Sequence, residues 1–194
     1  MGVKREHIPL VAALSQASLF RGLPLRALQR LAEQGHPNRF DEGSHLMRQG
    51  DASESLHVIL RGRVRVERVL PGNDEPLVLA EFGPGEIVGE MGVLESAPRS
   101  ATVTAIHDTE TLGLTAPLLA VTLAENPSVA GALMRLLSRR IRRTDDLTEQ
   151  IALGEVTAET GPADDDDAGA RGELALQTVS AEFIDNLKAA IRAE

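Results

Sequence analysis

Residues 82–103, Phe82-Gly83-Pro84-Gly85-Glu86-Ile87-Val88-Gly89-Glu90-Met91-Gly92-Val93-Leu94-Glu95-Ser96-Ala97-Pro98-Arg99-Ser100-Ala101-Thr102-Val103, concentrate the residue types that hold an anion and a diol. Gly89 and Gly92 leave backbone amides accessible, and a short turn of helix after Val88 would aim its first N–H groups outward, an arrangement that favours negative charge. Arg99 follows Glu90 by nine residues and is pinned by Pro98 at the mouth of a strand. Amide donors plus a guanidinium suit a phosphate with bidentate geometry. Glu90, an acceptor beside that site, suits a pair of hydroxyl donors, as acidic residues do on ribose in dinucleotide folds. A carboxylate for ribose and an arginine for phosphate describe a nucleotide pocket.

The flanking periodicities show what must position these groups. Residues 8–34 carry two apolar stripes at spacings of three and four, Leu10, Val11 and Leu14, then Leu25, Leu28, Leu31 and Ala32, separated by Gly22-Leu23-Pro24. Two short helices are expected. From Pro37 the period changes. Leu56 to Leu60 is an apolar run, and Arg63 to Val69 alternates, with Val64 and Val66 on one face and Arg63, Arg65 and Glu67 on the other. That alternation marks a half-buried strand. Pro71 to Asn73-Asp74 reads as a hairpin loop before a strand at 77–82, and 100–106 and 111–114 give two more strands. Many short strands between frequent Gly turns point to an antiparallel barrel or jelly roll over 37–115.

From Pro117 the helical period returns, first in a short helix ending near Asn126-Pro127, then in a long one to about Leu153. Along the long helix Ala130, Met134, Leu137, Ile141, Thr144, Thr148 and Ile151 step by four and three, and Leu133, Leu136 and Leu147 widen the stripe. So broad an apolar surface is expected to pack on its own barrel and also on a partner helix, which makes a homodimer through 127–153 an expectation. The domain organisation expected is a globular unit over 8–153, an acidic flexible linker over 154–178 and an amphipathic helix over 179–194, where Ser180 can cap Phe183, Ile184, Leu187 and Ile191.

Residues 82–103 resemble the phosphate-binding cassette of cyclic-nucleotide-binding domains, found in bacterial catabolite-activator-type regulators, regulatory subunits of cyclic-AMP-dependent kinase and cyclic-nucleotide-gated channels. The likeness extends through Leu19-Phe20-Arg21-Gly22-Leu23-Pro24, Gln49-Gly50-Asp51, Leu56 to Gly62 and Asn126-Pro127, and covers roughly residues 15–150. It implies an α+β fold: an eight-stranded antiparallel β jelly roll flanked by N-terminal helices and a long C-terminal helix. It also implies roles. Glu90 would accept from the ribose 2′-hydroxyl beside the Gly89 amide, with Val88 and Met91 flanking them. Arg99 would pair with the cyclic phosphate, joined by the Ser100 hydroxyl and the Ala101 amide. In the bacterial regulators a Thr-Ser pair on the long helix contacts adenine, and alignment on Arg139-Arg140 puts Thr144 and Asp145 there. Thr144 matches and Asp145 departs from the pattern. Its carboxylate could accept from the adenine amino group or from guanine N1–H and N2, so this position leaves the base open; the intact pocket most resembles cyclic-AMP binders, which makes cyclic AMP the expected ligand and cyclic GMP the alternative. No cofactor is implied.

Composition narrows the rest. The chain has 194 residues and no Cys, so disulfides and thiolate metal sites are excluded, and its 2% aromatics, all Phe, disfavour base-stacking nucleic-acid modules. Residues 1–150 hold 17 Lys+Arg against 19 Asp+Glu, whereas 151–194 hold 3 against 10, so the acid sits in the tail. No apolar run reaches the roughly 18–20 residues of a membrane span, and a cytoplasmic location without membrane contact is expected. His7, His36, His45, His57 and His107 lie in different elements with no metal-ligand spacing, and no nucleophile–base pattern stands out, so an enzyme is not expected. Arg139 to Arg143 is the densest basic patch and reads as a solvated helix face. DNA-binding relatives carry a winged helix-turn-helix after the long helix, where this sequence has acid, so no DNA binding is expected. The function expected is a cyclic-nucleotide receptor acting through contact with a protein partner. The alternative is a scaffold of the same fold that binds no nucleotide.

Overall fold

The computed structural model describes residues 7–69 and 76–152, and side chains in the last helix as far as Arg142. The expectations for 71–74, 154–178 and 179–194 lie outside the described residues, as do those for the Thr144 and Asp145 side chains.

Two helices, α1 (Ile8–Gln16) and α2 (Leu25–Gln34), precede strands β1 (His36–Phe40), β2 (His45–Met47), β3 (Ser55–Arg61), β4 (Val64–Val69), β5 (Pro76–Phe82) and β6 (Ile87–Val88). Then come a short helix α3 (Glu90–Glu95), strands β7 (Thr102–Ala105) and β8 (Thr109–Thr115), and helices α4 (Ala116–Glu125) and α5 (Pro127–Ala152). Pro9, Pro117 and Pro127 each stand in the first turn of a helix, where the missing N–H has no intrahelical partner to lose.

The eight strands form two antiparallel four-stranded sheets, ordered β1-β8-β3-β6 and β2-β7-β4-β5. This is the jelly roll of an α+β domain. Pro37 is tolerated because β1 lies at a sheet edge. The register differs from simple alternation at a bulge between Val66 and Glu67, where β4 meets β5.

The core divides in two. Leu56, Val58, Ile87, Leu112 and Leu114 face Leu14, Phe20, Leu28, Leu31, Leu119, Leu133 and Leu137 of the helices. Ile59, Val64, Leu79, Phe82, Val88 and Val103 pack within the roll. The sheet containing β3 is therefore buried on both faces, which is why Leu56 to Ile59 is an unbroken buried run, while β4, alternating in residue type at its start, is buried only at Val64. The strand expected at 111–114 begins at Thr109, whose buried hydroxyl donates to the His107 carbonyl at 2.7 Å, with the Arg63 carbonyl next at 3.2 Å. The stretch between 83 and 100, irregular in the sequence, holds β6 and α3; β6 is only two residues long, too short to show a period.

Helix α5 lies on the body through Val129, Leu133, Leu136 and Leu137, all buried. Of the expected stripe, Ala130 and Ile141 are half-buried and Met134 is 40% exposed, so the barrel-facing stripe is rotated from the one read in the sequence. Among the described residues no helix is long and apolar enough to cross a membrane.

Candidate nucleotide-binding site

The cassette is built on left-handed backbone. Gly89 (φ +79°) ends β6 and caps α3, and a Cβ there would stand 2.5 Å from Arg99 Nη1 and 2.8 Å from Met47 Cε. Only glycine lets the chain turn there and leaves Arg99 its place. Gly92 meets Ser53 in the same way, its would-be Cβ 2.1 Å from the Ser53 hydroxyl.

Arg99 is fixed from both ends. Its N–H donates to the Asp51 carbonyl at 2.7 Å, and its own carbonyl accepts from the Gly50 N–H at 2.8 Å, so the Gln49-Gly50-Asp51 turn holds its backbone. Its guanidinium donates to the Gly89 carbonyl (2.9 Å) and the Ser55 carbonyl (2.6 Å). The residue is 7% exposed. Burial pulls its pKa below the usual arginine range, opposed by the charges of Glu90, Asp51 and Glu54.

Glu90 is 1% exposed and accepts from Arg140 of α5. Arg140 also donates to the Ile87 carbonyl at 2.7 Å, and its guanidinium lies 4.8 Å from the centre of the Phe82 ring. The expectation that the basic run 139–143 is a solvated face is thus corrected at Arg140. Arg140 lies three and four residues after Leu137 and Leu136 and seven after Leu133, in phase with the buried face of α5. That phase was the signal that could have found it.

Val88, Gly89, Glu90, Met91, Arg99, Ser100 and Ala101, the expected site residues with described side chains, all line one open pocket. Phe82 and Arg140 join them, and Met47, Val66, Leu79 and Val103 form an apolar wall. Two guanidiniums stand in the pocket lining against one carboxylate. The arrangement offers an anion a buried positive charge, a diol an acidic acceptor, and a flat heterocycle an apolar surface.

His57 lies on β3, paired with Val88 of β6, and shares a 3.0 Å hydrogen bond with Thr111 on β8. Burial, with the Arg99 charge added, lowers its pKa from 6.5 to about 4. His57 is therefore neutral near pH 7 and adds no further buried charge to a site that already holds Arg99 and Arg140.

Residues 37–126 match the family model of the cyclic nucleotide-binding domain, and the chain belongs to that family. It is 29% identical over 133 residues to a CRP-like cAMP-activated global transcriptional regulator of Mycobacterium tuberculosis, a match covering 69% of this chain and 59% of that one. The crystal structure of the Thermus thermophilus catabolite activator protein superposes with a TM-score of 0.63 at 32% identity, over 72% of this chain and 65% of that one. The N-terminal domain of a Streptomyces coelicolor transcriptional regulator gives 0.54 at 32% identity, over 70% of this chain and 94% of that one. The chain thus matches less than two thirds of the length of the full-length Mycobacterium and Thermus regulators.

Proposed function

We propose that this domain is a receptor for a cyclic mononucleotide, cyclic AMP in the first place, and that it signals through contact with a protein partner. The observation that carries this reading is the charge of the pocket. Arg99 and Arg140 are both largely withdrawn from water and line the pocket with one carboxylate, Glu90, while Asp51 and Glu54 act on Arg99 from outside that lining. A cyclic phosphate diester brings one negative charge to the guanidiniums of that lining. Arg99 would take that phosphate, helped by Ser100 and the Ala101 amide, while Glu90 and Gly89 would meet the ribose and the apolar wall the base. Because α5 supplies Arg140 to the same pocket, a ligand that engages Glu90 touches the contact that holds the helix. Any change in α5 then follows from differential affinity for two helix arrangements. The half-exposed strip of Ala130, Met134 and Ile141 is the surface on α5 that a second copy or another protein would meet.

Calorimetric titration with cyclic AMP, cyclic GMP and linear 5′-AMP tests the reading. Heat is expected with cyclic AMP and is expected to be lost in Arg99→Gln. A second reading, a scaffold that binds no nucleotide, is favoured by one observation: Arg140 already occupies Glu90. It predicts no heat with any of the three.

A further inference from the structure

The ladder between β4 and β7 stops at the edge of the pocket. The Ile106 N–H donates to the Arg63 carbonyl at 2.9 Å, and the register runs on through Arg65–Thr104 to Glu67–Thr102. In an antiparallel pair every second set of opposed residues exchanges backbone hydrogen bonds. The series Arg63, Arg65, Glu67 therefore continues to Val69, and the residue facing Val69 on the same count is Ser100. The ladder does not reach it. Strand β7 begins at Thr102, and Ser100 and Ala101 form a bend in the pocket lining.

A side chain stands where that strand residue would be. The Gln49 amide nitrogen donates to the Val69 carbonyl at 3.0 Å, and the Gln49 amide oxygen accepts from the Val69 N–H at 2.9 Å. A primary amide carries both a donor and an acceptor, so one side chain meets both backbone groups of one residue, as a strand partner does. Gln49 is itself held, because its N–H donates to the Thr102 hydroxyl at 3.0 Å. The next two residues hold Arg99: the Gly50 N–H donates to its carbonyl, and the Asp51 carbonyl accepts from its N–H. The turn 49–51 thus grips the chain on both sides of the 100–101 bend, and the far end of β4 with it.

We propose that Gln49 is a positioning residue of the nucleotide site. By closing the end of β4 in place of Ser100, it lets the backbone of Ser100 and Ala101 leave the sheet and turn to the ligand phosphate. Without the amide, the Val69 N–H and carbonyl call for a backbone partner, and the one in register is Ser100. Pairing there would draw Ser100 and Ala101 out of the phosphate seat. The inference rests on the nucleotide reading of the pocket and adds to it a residue that does not line the pocket.

Gln49→Met keeps the length of the side chain and removes both bonds. Affinity for cyclic AMP, titrated below the unfolding midpoint, is expected to fall about tenfold, the scale of one hydrogen bond lost in the complex. The Rp and Sp phosphorothioate analogues, in which sulfur replaces one or the other exocyclic oxygen, locate the loss. Their affinity ratio is expected to shift, because the phosphate seat is what moves. Gly62→Ala, at the opposite end of β4 and outside the pocket lining, is expected to leave affinity and ratio unchanged. Unchanged affinity in Gln49→Met overturns the proposal and leaves the nucleotide reading standing. So does a fall in affinity with the ratio unchanged, or one that Gly62→Ala reproduces, since stability alone would then account for it. No heat with cyclic AMP in the wild type overturns the nucleotide reading and the proposal with it.

Discussion

The Arg140 guanidinium on the long helix donates to the Glu90 carboxylate on the cassette helix, across fifty residues of sequence, and neither side chain is more than 14% exposed. The two charges settle each other in a place where water cannot, so removing one leaves the other stranded. Arg140→Ala is expected to cost about 3 kcal/mol in urea unfolding, the scale of a buried charge left without its partner. Combined with Glu90→Gln, the loss should fall well short of the sum of the single changes. Strict additivity in that double-mutant cycle would show that the pair is not coupled.

Arg99 has two tasks that substitution can separate. Its two donors to the Gly89 and Ser55 carbonyls brace the cassette, and their loss in Arg99→Gln is expected to cost about 2 kcal/mol of stability. Its charge is what an anionic ligand would meet, so affinity for cyclic AMP in the same variant should fall by about a hundredfold or more, the equivalent of losing a charge-assisted pair. Arg99→Lys keeps the charge without the fork, and should recover part of the affinity and less of the stability. Equal affinity of the wild type and Arg99→Gln would remove Arg99 from the site.

Two glycines make a matched pair. Gly62 (φ +83°) and Gly89 (φ +79°) are both left-handed, and a Cβ at Gly62 would approach the Asp108 carbonyl to 2.4 Å. Either Gly→Ala change should destabilise the domain by roughly 1–2 kcal/mol or more, from backbone conformation and crowding together. Only Gly89→Ala crowds Arg99, so only it should lower ligand affinity per folded molecule in a titration below both unfolding midpoints.

Acid should weaken the fold through His57. Its pKa is about 4 when folded and 6.5 in an unfolded chain, so the unfolded state binds more protons between these values. The contribution is fully present above about pH 6.5, declines as pH falls, and is spent near pH 4. Across that window it amounts to about 3 kcal/mol. In His57→Gln the slope of unfolding free energy against pH should flatten between pH 4 and 6.5, and an unchanged slope would assign the acid response to other groups.

How far the sequence reveals this molecule depends on whether a feature is local. The Val64 and Val66 alternation, the prolines at helix starts and the Gly-Glu to Pro-Arg spacing are set by neighbours in sequence, and each could be read there. The double burial of β3 hides its alternation, since residues facing the helices and residues facing the roll are apolar alike. Thr109 looks like a loop residue until Phe40, remote in sequence, pairs with it across β1 and β8. Glu90 and Arg99 were legible as types suited to a ligand, but not that Arg99 already serves two backbone carbonyls or that Arg140 reaches Glu90. Those facts arise from chain segments that meet only when the roll closes. The basic run 139–143 shows the same limit, because composition alone assigns all five positions to one environment while helical phase separates Arg140 from Arg139.

The doubled arginine on α5 also sets a rule for length. Inserting one residue after Ser138 advances the rest of the helix by about 100° and brings Arg139 to the station held by Arg140. Deleting Ser138 brings Ile141 there instead. The pocket should therefore tolerate a slip in one direction and fail in the other, a directional error tolerance encoded by two identical residues in succession.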